Sequence, residues 1–376
     1  MAKIAIVFGT RPEAVKMAPV VKALKSSKIW QTKVIVTGQH REMLHQVLEL
    51  FDICPDYDLD IMTAGQSLSQ ITTRVLLGVE PILTQWRPDW VLVHGDTSTA
   101  FAVALAAFYK GIPVAHVEAG LRTNSLFDPF PEEANRRLTD VLASLYFAPT
   151  EQAAKNLTNE GIDPTRIFVT GNTVIDALLS VVKPEYQFQT LPPGITCGQR
   201  PLLLVTAHRR ENWGKPLRDI CDALMEVATS SAVEIAFAMH RNPQIQSVVR
   251  AKLGDQPNIH LIDAPGYLEF ANILNHCTML ITDSGGLQEE GIALNKPVLV
   301  LRNSTERPEG IQTGGLKLIG TRKKEIVREI TNLLLDKELY HKMASALNPY
   351  GDGMAASRIQ KILVEQIMQR GEEDGD

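Results

Sequence analysis

Short apolar runs rich in Val and Ile recur along the chain, separated by longer stretches in which apolar positions fall three and four residues apart. In the first half the runs are Ile4 to Phe8, Lys33 to Thr37, Trp90 to Val93, Pro113 to Val117, Leu145 to Ala148 and Ile167 to Thr170. Runs without polar alternation predict strands covered on both faces. Met43, Leu44, Val47, Leu48 and Phe51 form one helical stripe, and Leu68, Ile71, Val75, Leu76, Val79 and Ile82 form another. Strand and helix in alternation predict a parallel, doubly wound sheet.

A helical pattern over 173–182 leads into 183–200, which lacks periodicity and gathers Pro192, Pro193, Gly194 and Gly198 near its end. That composition is expected of a loop near a domain boundary. The alternation then restarts with Leu202 to Thr206, Glu234 to Ala238, Ile259 to Ile262, Met279 to Thr282, Val298 to Leu301 and Leu316 to Ile319. The fold class is therefore α/β, with two Rossmann-like parallel-sheet domains over 1–172 and 173–353. Such a division suits 376 residues, more than one hydrophobic core usually serves. The last amphipathic stretch, 354–370, has no strand after it and is expected to pack back on the first domain, ahead of an acidic tail.

Composition excludes several classes. With 44% hydrophobic and 22% charged residues the chain has no bias toward disorder, collagen or a coiled coil. A net charge of -5 argues against a nucleic-acid groove. Cys54, Cys197, Cys221 and Cys277 are scattered without metal-ligand spacing, as expected in a reducing compartment. The first apolar run is too short for a signal-peptide core and no run reaches transmembrane length, so a cytoplasmic location without membrane contact is expected.

Ligands of open α/β sheets bind beyond the carboxyl ends of the strands, and the unusual residues of this chain cluster there. After the first run comes Gly9-Thr10-Arg11-Pro12-Glu13, with Lys16 one turn further. A helix start flanked by Arg11 and Lys16 suits an anion, and it equally suits an ordinary turn with two solvated cations. Asp96 and Glu118 follow two strands, and Glu132 follows Pro131 at a helix start. Carboxylates gathered in a cleft raise one another's pKa toward the range of a useful acid or base. Taken singly, Asp96 reads as a helix cap, Glu118 as a partner of Arg122 or Arg136, and Glu132 as first-turn dipole pairing. In the second half, His208 and Arg209 follow a strand, either facing a phosphate or forming a basic turn with Glu211. Thr282 to Glu290 holds the sharpest signal, because Ser284, Gly285 and Gly286 between strand and helix expose N–H groups at the positive end of a dipole. It lacks a Walker lysine; Glu290 is placed to accept from ribose hydroxyls, and Arg307 adds a cation at the next strand end.

With these residues assembled, the chain resembles the non-hydrolysing UDP-N-acetylglucosamine 2-epimerases. The resemblance rests on GTRPEAVKMAP at Gly9, TGQHREML at Thr37, VLVHGDT at Val91, HVEAGLRT at His116, FPEEANRRL at Phe130, TGNTVIDAL at Thr170, HRREN at His208, TDSGGLQEE at Thr282, ERPEG at Glu306 and NPYGDG at Asn348. It implies the two-domain GT-B architecture with a central cleft, catalytic positions at Asp96, Glu118, Glu132 and His208, and UDP-binding positions at Arg11, Lys16, Phe270, Ser284, Gly285, Gly286, Glu290 and Arg307. It further implies a homodimer with no metal, nicotinamide or other cofactor, serving bacterial surface-polysaccharide synthesis. Some members bind a second nucleotide sugar at a regulatory site, where this chain has Gln39, Glu42, Arg209 and His240. Gly65 stands where some of those members have arginine, and Pro265 where part of the family is polar.

The C2 hydrogen of an N-acetylhexosamine is not α to a carbonyl, so direct abstraction faces a prohibitive barrier. Departure of UDP from C1 acidifies that hydrogen, and a carboxylate then takes it to give 2-acetamidoglucal. Return of a proton on the opposite face, with re-addition of UDP, inverts C2. The rival readings are a GT-B glycosyltransferase, a nucleotide-sugar sensor, a hydrolysing epimerase and an epimerase of a 3-substituted sugar.

Overall fold

The structure is a computed structural model that describes all residues except 39–40, 64, 124, 194, 196–199, 264 and 374–376, with the side chains of 41–43 and 370–373 also outside the description. The chain divides into two compact units, one comprising Met1–Leu179 and Tyr350–Asp376, the other Ser180–Pro349.

In the first unit β1 (Ala2–Phe8), β2 (Trp30–Val36), β3 (Tyr57–Asp58), β4 (Trp90–His94), β5 (Val114–Val117), β6 (Leu145–Ala148) and β7 (Ile167–Val169) form a parallel sheet in the order β3-β2-β1-β4-β5-β6-β7. Ala5, Val7, Ile35, Val91 and Val93 pack with Val75, Val79 and Leu83 of the helix Leu68–Trp86 and with Val103 and Ala107 of the helix Ser98–Tyr109. The order reverses between β1 and β4, and such a switch point leaves a crevice beyond the strand ends. Gly9 sits at that point. A Cβ there would lie 2.0 Å from Thr37 Oγ1 and 2.7 Å from Thr99 Oγ1, so no larger residue fits.

The helix Thr173–Val181 and the final helix Ala355–Glu373 are tied to each other within this unit. Asp176 accepts from the Ala355 and Ala356 N–H groups at 3.2 and 2.9 Å, capping the final helix, which packs against the helix Arg11–Ser26. The Asn172 N–H also donates to Tyr350 O at 2.7 Å.

The second unit repeats the plan with β8 (Leu202–Thr206), β9 (Glu234–Met239), β10 (Ile259–Asp263), β11 (Met279–Thr282), β12 (Val298–Val300) and β13 (Leu316–Leu318), in the order β10-β9-β8-β11-β12-β13, all parallel. Val205, Ile235, Phe237 and Ile281 meet Ile220 and Leu224 of the helix Lys215–Ser230 and Ile326 and Ile330 of the helix Lys323–Leu335. Its switch point lies between β8 and β11. Among the described residues no helix is long and apolar enough to cross a membrane.

Candidate active site

At the switch point of the first unit the turn after β1 is closed by an internal anion. Glu13 is buried and accepts from the Gly9 and Thr10 N–H groups at 3.0 and 2.8 Å and from Thr97 Oγ1 at 2.7 Å. Thr10 in turn caps the helix Arg11–Ser26, completing a capping box. The two N–H groups that the sequence offered to an outside anion are thus taken by Glu13. Burial pushes its carboxyl above the usual range, against the bonds from Thr97, Thr10 and Gly9. Arg11 stays half-buried at the first position of the helix.

Asp96 and Glu118 follow the neighbouring strands β4 and β5. The carboxylate of Asp96 accepts from Arg136, and its backbone carbonyl accepts from Asn135 Nδ2 at 3.0 Å. It does not cap the following helix: Thr97 does, through a 3.0 Å bond from the Ala100 N–H. Glu118 pairs with neither Arg122 nor Arg136. Lys16 donates to its Oε2, and Asn172 Nδ2 donates to the same oxygen at 2.9 Å. Its backbone lies in the left-handed region at φ 63, which is costly for a residue with a side chain and is common where function fixes geometry. Arg122 is committed to Asp140 and Glu160 at 2.7 and 2.6 Å. Glu132 opens the helix Glu132–Leu142, and its Oε2 is buried with no hydrogen-bond partner among the described residues. Its neighbour Glu133 is buried with Arg136 and Arg137 at 3.2 and 2.7 Å.

Two members of this cluster fall in quoted motifs without having been among the expected site residues. His94 ends β4, is 3% exposed, and has its Nε2 3.8 Å from Glu118 Oε2. Burial lowers its pKa to about 4, with Glu118 opposing the shift and Lys16 adding to it. The imidazole is neutral near neutral pH. Asn172 lies three residues beyond β7, within the TGNTVIDAL segment that begins at Thr170.

The second unit builds a polar cluster at its own switch point. Asp283, fully buried, follows β11 and accepts from the backbone N–H groups of His208 and Arg209, both at 2.8 Å, and from Asn212 Nδ2 at 2.9 Å. His208 Nδ1 lies 3.1 Å from Asp283 Oδ1, so the carboxylate, and not Glu211, orients the ring. Burial pushes Asp283 up, but His208, the Arg209 N–H and Asn212 outweigh it and hold the carboxyl below its usual range. Glu211 binds Arg302 at 2.7 Å. His240 stacks on His208, ring centroids 5.7 Å apart and planes 12° apart.

Ser284 is the N-cap of the helix Gly285–Ala293 and makes no side-chain cap. A Cβ on Gly285 would lie 2.4 Å from Glu306 Oε1, whereas one on Gly286 would meet no atom within 4 Å. Gly286 therefore presents bare backbone to open space at a helix N-terminus, an anion-seeking geometry. Glu306 accepts from Arg209 at 3.0 Å and Arg302 at 2.8 Å, with Arg307 3.7 Å away. Burial would raise it, but Arg307, Arg302 and Arg209 bring it to about 2. Arg307 is also bound at 2.6 Å to the buried Glu289. Glu290 is buried on the same helix, and Phe270 is half-buried in the helix Tyr267–His276. Of the residues expected in a regulatory site, Arg209 and His240 fall in this cluster; Gln39 lies outside the described residues, as does the side chain of Glu42.

Comparison with known proteins identifies the family of the chain. The family model described as UDP-N-acetylglucosamine 2-epimerase matches residues 22–364. The UDP-N-acetylglucosamine 2-epimerase of Escherichia coli K12 is 51% identical over 368 residues, covering 96% of this chain and 98% of the relative. The Neisseria meningitidis UDP-GlcNAc 2-epimerase, solved with UDP-GlcNAc bound, has a TM-score of 0.86 and 45% identity, covering 98% of this chain and 100% of that one. A co-structure of S. aureus MnaA with UDP has a TM-score of 0.86 and 47% identity, covering 96% and 95%. The chain belongs to the UDP-N-acetylglucosamine 2-epimerase family.

Proposed function

We propose that the chain interconverts UDP-N-acetylglucosamine and UDP-N-acetylmannosamine by eliminating UDP to 2-acetamidoglucal and adding it back. The observation that carries this reading is the pair of carboxylates at adjacent strand ends, Asp96 and Glu118, each held by its own cation, with Asp96 tied through Arg136 to the helix that Glu132 opens. Breaking the C1–O bond sends its electron pair to the UDP oxygen. One carboxylate takes the C2 proton, and a second group returns a proton from the opposite face when UDP re-adds. Asp96, Glu118 and Glu132 share these proton-transfer and cation-stabilising roles.

The second unit supplies the leaving-group contacts. The N–H groups at Gly285 and Gly286, with His208 and Arg307, stabilise the charge that develops on the diphosphate. Asp283 holds the His208 ring for that task through the 3.1 Å contact. Glu290 and Phe270 take the nucleoside, and Arg11 and Lys16 complete the substrate contacts of the first unit. On the same reading the enzyme is a cytoplasmic homodimer that feeds bacterial surface-polysaccharide synthesis. Exposed Phe108, Tyr109, Leu138 and Val141, on two helices that pack together, support a dimer face. Free Cys54, Cys221 and Cys277 support a reducing compartment.

Incubation of the chain with UDP-N-acetylglucosamine alone tests the function. Appearance of UDP-N-acetylmannosamine by NMR, reaching a fixed ratio from either sugar, supports it. Accumulation of free N-acetylmannosamine, or turnover only after an acceptor is added, overturns it.

A further inference from the structure

His116 lies on β5, two residues before Glu118, and is fully buried. Its Nδ1 is 2.6 Å from Asp140 Oδ1 and its Nε2 is 2.7 Å from the Gly95 carbonyl oxygen. A carbonyl can only accept, and so can an ionised carboxylate; two such partners require a hydrogen on both ring nitrogens. Burial would raise the Asp140 carboxyl, but His116 and Arg122 hold it below its usual range, and the Arg122 guanidinium favours the ionised form whatever the state of His116. The second oxygen of Asp140 is used by Arg122 at 2.7 Å.

The Gly95 peptide is held from both ends by β5. Its N–H donates to Val117 O at 2.9 Å, and its carbonyl accepts from His116. Gly95 immediately precedes Asp96, and Val117 immediately precedes Glu118. Gly95 sits at φ 64, which costs a glycine nothing, whereas Glu118 at φ 63 is not in its backbone's relaxed conformation and depends on its surroundings. The two bonds lock the spacing of the strand ends that carry the carboxylates. None of this contributes a group to the substrate.

We infer that His116, held as an imidazolium by Asp140, is a positioning residue that sets the separation of Asp96 and Glu118. The inference rests on the epimerase reading for its effect on turnover, though not for the charge state. A ring that only filled the core would tolerate a neutral form and would leave turnover per folded molecule untouched. A ring that sets carboxylate geometry affects the chemical step and spares UDP binding, because displacements well below an ångström change proton-transfer rates.

The test uses the full chain. Nitrogen-15 spectra of histidine-labelled enzyme at about pH 8 are expected to show both His116 nitrogens protonated, with assignment from the loss of that signal in His116→Gln. His116→Gln keeps one donor for Gly95, and His116→Leu keeps none. Their kcat values are expected to fall by roughly tenfold and roughly hundredfold, with the Kd for UDP within about twofold of wild type. Asp140→Asn, a second route to the same loss, is expected to lower kcat like His116→Gln. A neutral His116 spectrum overturns the inference. So does unchanged kcat in folded His116→Gln or Asp140→Asn. If wild-type enzyme shows the doubly protonated ring but no epimerisation, the proposed function fails while the charge assignment stands.

Discussion

Lys16 donates to the carboxylate of Glu118, across 102 residues of sequence, and Asn172 donates to the same oxygen. A cation and an amide on one oxygen hold the carboxylate in place. Replacing Glu118 with Gln keeps the shape but removes the carboxylate's charge and its proton-transfer capacity. Turnover is expected to fall by roughly a thousandfold, with UDP affinity changed by less than about threefold, as read by kcat and by calorimetric titration with UDP. Turnover within tenfold of wild type would remove Glu118 from the proton-transfer group.

His94 makes acid stability depend on the same cluster. Its folded pKa of about 4 lies below that of a free imidazole, 6.5. The unfolded chain therefore binds more protons between these values, and stability falls as pH drops through that window. The full effect is roughly 3 kcal/mol. Urea unfolding of wild type at pH near 7.5 and near 5 is expected to show a loss that is largely absent in His94→Gln. An equal loss in both proteins would assign the acid sensitivity elsewhere.

Gly285 and Gly286 separate packing from ligand approach. Alanine at 285 drives a methyl into Glu306 Oε1, 2.4 Å away, and is expected to destabilise by about 1–3 kcal/mol. Alanine at 286 meets no atom within 4 Å and replaces a helical glycine, so thermal stability is expected to hold or rise. The same change should weaken UDP binding by roughly tenfold or more if a phosphate approaches that backbone. Unaltered UDP affinity in Gly286→Ala would move the phosphate away from this turn.

Arg307 has a structural role as well as its proposed role toward UDP, being bound at 2.6 Å to a glutamate that is almost wholly buried. Arg307→Ala leaves Glu289 without that cation and is expected to cost roughly 3 kcal/mol in urea unfolding. Adding Glu289→Gln should restore much of the stability without restoring UDP affinity. Recovery of both would show that Arg307 acts on UDP only through the fold.

The sheets were legible because both faces of each are covered, which leaves apolar runs such as Leu202–Thr206 and Leu145–Ala148 that coincide with β8 and β6. Tyr57–Asp58 was not, since two residues at a sheet edge carry no pattern. The helix Ser98–Tyr109 lacks a single stripe because it packs between two other helices and is apolar on most sides. Strand ends located Asp96, Glu118 and His208, yet the partners of each were hidden. Arg136 lies 40 residues from Asp96, and Asp283 lies 75 from His208, distances that no local pattern spans. Glu13 shows the converse. The sequence left its helix start open between an anion site and an ordinary turn, and that Glu13 takes the Gly9 and Thr10 N–H groups required the folded geometry.

The most direct test of C2 proton transfer is incubation with UDP-N-acetylglucosamine in deuterated water without acceptor, followed by NMR of the recovered nucleotide sugars. Deuterium at C2 of both epimers, lost in Glu118→Gln, is the expected result. Epimerisation with C2 keeping its original hydrogen would contradict it.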